Sequence, residues 1–405
     1  MKRKEQEETV TQQKAMTKYD RKMEARKLQE QKNKRDDKIF KISVLVVCAL
    51  LIIAIASSIV VSITRKYSTL NGTYVSVGSH DLTKLEYDYY FNSSFNSYVN
   101  AYSSFLGLIG LDVNEDLDKQ PYSDTMTWKE MFDQSTISKI TDTKVLLDDA
   151  AANGFEYDVT QDYEAELENI AADMETNGVT EVDYFKNLFG AYATKGNVAS
   201  FMKNDILASA YYNQLLADNT PSAAEITAYY EENRTDWDRT DYRIFTVEGE
   251  APEEATEEQL ADAFKQVKET ADAMAKRRQA GEDFEALCEE YAPEDQKENY
   301  TDTESEYSLK EGTYYASANT LFADWLYDDA RKEGDITVVE DAENTKAYVV
   351  EFVSKYYSAD DDTSIAEEIS YDRTRTYMDS LAAGYTFDGK GKIQLIEEEA
   401  EAETE

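Results

Sequence analysis

The sequence predicts an α+β protein carried on a single transmembrane helix, with a mainly helical domain followed by a small α/β module. Three observations lead to this prediction. An uncharged run of 22 residues lies near the N-terminus. Stretches with the period of amphipathic helices follow it, and after Trp237 the pattern changes to the alternation typical of a strand.

The uncharged run, residues 42–63, is long enough to span a bilayer. A helix rises about 1.5 Å per residue, so this run covers roughly the 30 Å of a hydrocarbon core. Residues 1–41 hold 14 Lys and Arg against 8 Asp and Glu, and basic residues beside an anchor are retained in the cytoplasm. We therefore expect a basic cytoplasmic stub (1–41), an anchor (42–64) in contact with the lipid bilayer of the cell membrane, and an extracytoplasmic remainder.

Two other interpretations fit this run less well. A cleaved secretory signal has an apolar region of about 7 to 15 residues and ends at a small-residue cleavage site, whereas this run is longer and lacks such a site. A lipidated cysteine is conceivable at Cys48, but most of the apolar run follows that residue. A single-pass anchor with a cytoplasmic N-terminus is the preferred prediction.

Composition excludes several classes of function. The chain has a formal net charge of −41, and such a surface repels phosphates, so no nucleic acid is expected as a partner. The two cysteines and the one histidine offer no metal-ligand spacing, and we expect neither a metal nor a cofactor. His80 is expected in a solvent-exposed turn. The sequence leaves the oligomeric state open.

The first extracytoplasmic domain, residues 67–240, is predicted to be helical. Asp81 or Thr83 can cap its first helix. Aromatic residues then recur at helical spacings and predict a core face, with a protein-binding surface as the alternative. These residues are Tyr87, Phe91, Tyr98, Tyr102 and Phe105.

A loop from Gly110 to Trp128 places acidic or amide side chains on alternate positions, as calcium loops do. An EF-hand loop needs Gly at its sixth position and Glu at its twelfth, whereas Leu117 and Ser123 stand there. A turn with exposed carboxylates is therefore preferred over a metal site. The alternating residues are Asp112, Asn114, Asp116 and Asp118.

Four further helical patterns follow this loop, separated by glycines. Ser222 and Glu225 then have the capping-box arrangement that begins another helix. The four patterns cover residues 131–150, 161–176, 182–189 and 198–216.

Residues 241–357 are predicted to form the small α/β module. An alternating strand opens it, an amphipathic helix and two short helices follow, and a second strand closes it. A helix and an acidic tail, 397–405, come after the module. The predicted elements are 241–247, 260–274, 284–288, 320–330 and 347–353, with the later helix at 363–383.

The order of several short motifs resembles the PrsA/SurA-type extracytoplasmic foldases. In the first domain these are LTKLEYDYYFN, the TW-x-x-MF segment and PSAAEITAYYEEN; in the module they are YRIFTV, AGEDFEALCEEYAPED, LFADWLYDDARKEGDIT and KAYVVEF. The resemblance implies a SurA-N-like chaperone domain and a parvulin-like peptidyl-prolyl isomerase domain. It also implies that residues 358–396 pack back onto the helical domain.

The module departs from the parvulin pattern at its functional positions. Parvulins place one histidine in the opening strand and one in the closing strand, where this chain has Arg243 and Tyr348. The glycine-rich stretch is replaced near 304–307, while Phe322 corresponds to an apolar wall of the proline pocket. Arg is permanently charged and Tyr is a neutral phenol, so neither reproduces a neutral imidazole. We expect the module to be catalytically inactive.

The resemblance thus implies a membrane-anchored chaperone or foldase that binds unfolded or newly exported polypeptides. Its candidate client-binding residues are Tyr87, Phe91, Tyr98 and Tyr102. Two alternatives stay open: an active peptidyl-prolyl isomerase, and a non-catalytic scaffold of an envelope assembly.

Overall fold

One long helix, α1 (Lys18–Asn71), contains the apolar run of the sequence and leads into the first strand. The computed structural model describes residues 18–249, 255–301 and 306–396. Within these ranges α1 is the one helix long and apolar enough to cross a membrane, as judged by length and composition. Every side chain from 42 to 63 is exposed. The first 17 residues of the basic stub and the acidic tail 397–405 lie outside the described residues.

The chain divides by its contacts into two compact units. The first contains the chain up to Ala208 and again from Ala382 onward, and the second is Ser209–Leu381. The domain limits drawn from the sequence pattern, 67–240, 241–357 and 358–396, stay a prediction.

Two short strands and five helices follow α1 and complete most of the first unit, although the last of these helices continues into the second unit. They are β1 (Thr73–Val77), β2 (His80–Thr83), α2 (Lys84–Ala101), α3 (Trp128–Ala152), α4 (Thr160–Asn177), α5 (Glu181–Phe189) and α6 (Lys195–Asp218).

Helix starts in this unit are set by side-chain caps. The Thr83 hydroxyl accepts a hydrogen bond from the Glu86 amide at 3.1 Å, so Thr83, and not Asp81, caps α2. Thr127 and Glu130 form a complete capping box at the start of α3. Helix α4 ends at Gly178, whose φ of 63° suits a residue without Cβ.

The core of the first unit is rich in aromatic side chains. Its largest fully buried members include Tyr87, Tyr90 and Phe185, which α2 and α5 bring together. A second, smaller cluster surrounds Trp128 and Phe132 at the start of α3. Burial of these rings provides the main stabilisation of α2 and α3, because neither isolated helix has a strong intrinsic driving force.

The second unit combines a sheet with helices. Its elements are α7 (Ala223–Glu232), α8 (Arg234–Trp237), β3 (Asp238–Glu248), α9 (Glu257–Gln279), α10 (Phe284–Tyr291), β4 (Leu309–Tyr314), α11 (Ala323–Tyr327), β5 (Ile336–Asp341), β6 (Lys346–Tyr357) and α12 (Asp362–Ala382). The four strands form an antiparallel sheet in the order β4-β3-β6-β5.

Each face of this sheet is covered by different helices, because successive side chains of a strand point to opposite faces. Phe245 and Val349 face α9 and α10, and contribute to one core cluster. Tyr242, Val350 and Phe352 face α11 and contribute to another.

Part of the module differs from the sequence prediction. Strands β4 and β5 were not predicted: β4 reads LKEGTY, in which charges and a glycine hide any alternation. The predicted helix at 320–330 shortens to α11, because Phe322 (φ −136°) and Asp328 (ψ 124°) are not helical. The closing strand β6 extends four residues beyond the predicted end at Val353.

The C-terminal segment returns to the first unit. A two-residue strand, β7 (Phe387–Asp388), pairs with β1, giving a three-stranded sheet of order β2-β1-β7. Tyr385 donates a hydrogen bond to Asp148 of α3 at 2.6 Å.

Candidate functional site

Phe322 and Tyr348 come together on the α11 face of the sheet. Phe322 is 1% exposed, and its ring centroid lies 5.8 Å from that of Tyr348 and 5.8 Å from that of Tyr242. Phe322, the residue just before α11, is therefore packed between Tyr242 of β3 and Tyr348 of β6. These aromatic side chains fill the space beside Phe322.

Arg243 lies on the opposite face of the sheet. It stands in register with Glu351 on β6, whereas Tyr348 is three residues away along that strand and so points to the other side. Arg243 and Tyr348 therefore do not face each other across the sheet; that they replace the two parvulin histidines stays a prediction. The residue of β3 that does share the face of Phe322 is its neighbour Tyr242.

Arg243 belongs to a network of ion pairs beneath α9 and α10. It donates to Glu285 at 3.3 Å and to Glu306 at 2.7 Å. Glu285 also accepts from the Ser308 amide at 3.1 Å. The network ties α10 to the segment that leads into β4, which is a structural role. Of the predicted replacements near 304–307, residues 304 and 305 lie outside the described residues.

The buried thiol close to this network is not a nucleophile. Burial, with the Glu285 carboxylate as a further cause, raises the pKa of Cys288 well above its ordinary value. A thiol attacks as its thiolate, so Cys288 behaves as a small apolar side chain of the core. Its position in α10 agrees with that role.

The aromatic candidates of α2 differ in accessibility. Tyr87 is 2% exposed and donates a hydrogen bond to Asp133, so it is a core residue and cannot contact a client polypeptide. Phe91 and Tyr98 are half-buried and pack on Phe132 or Trp128. Of the four, Tyr102 is the one that is exposed, at 46%.

Tyr102 belongs to an exposed apolar patch that the sequence prediction missed in large part. Leu108 is 85% exposed and Phe105 56%. We use "apolar patch" for the set Tyr102, Phe105, Leu108, Ile109, Val113 and Tyr122, all of which are exposed. The signal was present in the sequence: residues 101–111 contain no charge, in a chain in which 31% of residues are charged.

The segment that carries the apolar patch has a defined conformation. Leu111 is buried against Trp128, and its amide donates to the Leu106 carbonyl at 2.9 Å. Gly110 makes this turn possible, since its φ is 75°. Because Leu106 and Leu111 point inward, the residues between them are directed outward.

The following acidic loop is organised by a glutamine. Gln120 accepts from the Asp112 amide at 2.8 Å and donates to the carbonyls of Asp112 and Glu115 at 2.9 and 3.2 Å. Within residues 18–249, 255–301 and 306–396, no group of three or more His, Cys, Asp or Glu side chains could hold a metal ion. The side-chain amide of Gln120 thus occupies the centre of this loop.

The sequence predicted His80 in a solvent-exposed turn, but the structure places it in a strand. It begins β2, is half-buried, and its Nε2 lies 2.7 Å from Oδ2 of Asp148. Tyr385 donates to the same carboxylate oxygen. The three side chains link β2, α3 and the C-terminal segment within the first unit.

No protein-family model matches the sequence. No curated protein matches it either.

Solved structures similar to the chain are foldases and SurA-like chaperones. Foldase PrsA from Streptococcus pneumoniae is 15% identical, with 62% of this chain and 81% of that chain covered and a TM-score of 0.23. PrsA from Bacillus subtilis is 12% identical, with 68% and 93% covered and a TM-score of 0.21. One of the SurA-like chaperones PEB4 and Cj1289 from Campylobacter jejuni is 9% identical, with 78% and 98% covered and a TM-score of 0.25.

Proposed function

We propose that this chain is a membrane-anchored, extracytoplasmic chaperone-like protein that binds unfolded or newly exported polypeptides through the apolar patch. The exposure of Phe105 and Leu108 is the observation that carries the proposal. An exposed cluster of large apolar side chains on a charged protein is typical of a surface that binds other molecules.

The chemistry of the patch fits an unfolded polypeptide. Aromatic and aliphatic side chains without a fixed hydrogen-bond pattern accept many apolar sequences. Full burial of one such side chain contributes roughly 1.5 to 3 kcal/mol before ordering costs. A client that covers three or four of them therefore binds weakly and reversibly, as a chaperone requires. The net charge of −41 opposes self-association of the protein.

The test is suppression of aggregation of an unrelated denatured protein by the full chain in detergent micelles. The double variant Phe105→Ser with Leu108→Ser should lose most of this activity, about tenfold or more, because it removes the two large exposed apolar groups. Exposed Val182 and Leu260 lie outside the patch. The control variant Val182→Ser with Leu260→Ser should therefore retain the suppression of aggregation.

Two results would count against the proposal. Equal activity of the two double variants would show that the patch does not bind clients. A wild-type chain without any suppression would favour the scaffold alternative.

The filled surroundings of Phe322 support a module without isomerase activity. Prolyl isomerisation has a barrier of about 18 to 20 kcal/mol, and its catalysis requires an open apolar pocket with polar groups around the twisting amide. Tyr242 and Tyr348 occupy the space beside Phe322. A proline-peptide isomerisation assay should show no rate above the spontaneous one. A rate enhancement that Phe322→Ala abolishes would instead establish the active isomerase.

A further inference from the structure

Within the part of the chain that the structure describes, the interior strand β3 is partly uncovered. It has 11 residues, but β4 pairs with it only as far as Arg243, and the Ile244 amide makes a last bond to the Ser308 carbonyl at 2.9 Å. On the other side, β6 pairs with β3 through to Glu248. Among the described residues, no strand lies beside 245–248 on the β4 side.

The backbone groups at this uncovered edge have a definite direction. In an antiparallel pair, alternate residues direct their N–H and C=O groups to opposite neighbours. Ile244 donates toward β4, whereas Gly249 donates to the Thr345 carbonyl, on the β6 side, at 2.9 Å. Thr246 and Glu248 therefore direct their N–H and C=O groups toward the uncovered side.

A hollow lies along this edge. Its volume is about 350 Å³, and one of its walls is formed by Tyr291, Pro293, Gln296 and Tyr300. Tyr307 and Lys310 close the end where β4 begins. The hollow thus runs along β3 beyond the start of β4, and the rings of Tyr291, Tyr300 and Tyr307 line it.

We infer that the edge of β3 at Thr246–Glu248 binds an extended polypeptide segment, which adds to the sheet as a short continuation of β4. Extended backbone is the ligand whose alternating donors and acceptors match those of Thr246 and Glu248. Glu248 and Lys310 are the charged residues that line the hollow. The adjacent segment 293–300 carries three acidic residues against one lysine, which favours a ligand with basic side chains. This inference rests on the proposed function in that the ligand is again a polypeptide, but the site shares no residue with the apolar patch.

The test measures binding of a fluorescent eight-residue peptide of alternating valine and lysine to the full chain in detergent micelles. Thr246→Pro removes the outward N–H, which an uncovered edge tolerates, and should weaken binding at least tenfold. Thr246→Val keeps the N–H and should stay within threefold of the wild type. The same peptide with alternate amides N-methylated should also bind at least tenfold more weakly to the wild type.

The controls separate this site from the apolar patch. The variant Phe105→Ser with Leu108→Ser should bind the peptide as the wild type does. If that variant loses the peptide while Thr246→Pro retains it, the inference is overturned and the patch is the binding site. If Thr246→Pro fails to fold by circular dichroism, the N-methylated peptide decides alone. A wild type that does not bind the peptide also overturns the inference, whatever its effect on aggregation.

Discussion

At the scale of single residues, the position of Arg243 shows what a linear motif does not determine. The sequence predicted both strands, the opening one from the alternation of residues 241–247 and the closing one at 347–353. Whether Arg243 shares a face with Tyr348 depends on the register between the strands, and an odd offset reverses the face. A bulge between Asp241 and Tyr242 further shifts the pairing of β3. Register follows from turns and packing along the whole sheet, which the two motifs do not contain.

Glu225 provides a pH prediction at the same scale. Hydrogen bonds from the Ser222 amide and hydroxyl, and then from Arg373 of α12, lower the pKa of Glu225 to about 2. Because the folded-state pKa is below the ordinary value, the stabilisation by this carboxylate is present above about pH 4.5 and is lost as the pH falls toward 2.

An NMR titration of the Glu225 carboxyl carbon in the full chain should give a midpoint near 2. Arg373→Gln should raise that midpoint, because one of the hydrogen bonds to the charged form is removed. Exposed Arg375, four residues before its partner Asp379, gives the matched control Arg375→Gln, which should leave the midpoint unchanged. An ordinary midpoint in the wild type would contradict the Ser222 capping hydrogen bonds, and an Arg373→Gln midpoint equal to that of the wild type would contradict the α7–α12 contact.

At the scale of elements, helices were predicted better than strands. Helices α3 and α7 begin with capping boxes, whose partners are only three residues apart in the sequence. Glycines follow the last residues of α4 and α5. Strands β4 and β5 have no such signal, because their pairing partners are far away in the chain. The apolar patch was missed for a related reason: periodicity placed its aromatic residues on a helix but did not give their exposure.

The capping box of α3 yields an element-scale prediction. Thr127→Ala removes the hydroxyl that accepts from the Glu130 amide, and should lower the free energy of unfolding by about 1 kcal/mol. Thr127→Ser keeps a hydroxyl and should change the free energy of unfolding by only a few tenths of that amount. Urea denaturation followed by circular dichroism measures both. An unchanged stability of Thr127→Ala would mean that packing of Trp128 alone fixes the start of α3.

At the scale of the whole molecule, charge is distributed very unevenly. Residues 1–41 have an excess of basic residues, and the chain as a whole has a net charge of −41. Many tyrosines of the acidic part donate hydrogen bonds to carboxylates, and two such pairs are Tyr89–Asp205 at 2.8 Å and Tyr229–Glu368 at 2.7 Å. The hydrogen bond to Glu368 is the first cause that raises the pKa of Tyr229, to about 12.

The charge asymmetry leads to a topology prediction. A protease added to intact cells should digest a C-terminal epitope tag and leave an N-terminal tag protected, because basic residues beside an anchor are retained in the cytoplasm. Permeabilised cells, in which both tags are digested, provide the control. An N-terminal tag that is digested in intact cells would reverse the proposed orientation.

Helix α1 has a mechanical consequence. It continues for eight residues beyond Ile63, and a single glycine separates its end from β1; this extension measures about 12 Å. A short helical connection restricts the distance between a domain and its membrane anchor, whereas a flexible linker allows a wide range of distances. In the proposed topology, with α1 in a bilayer, this extension would set the first unit at a short, fixed height above the membrane surface.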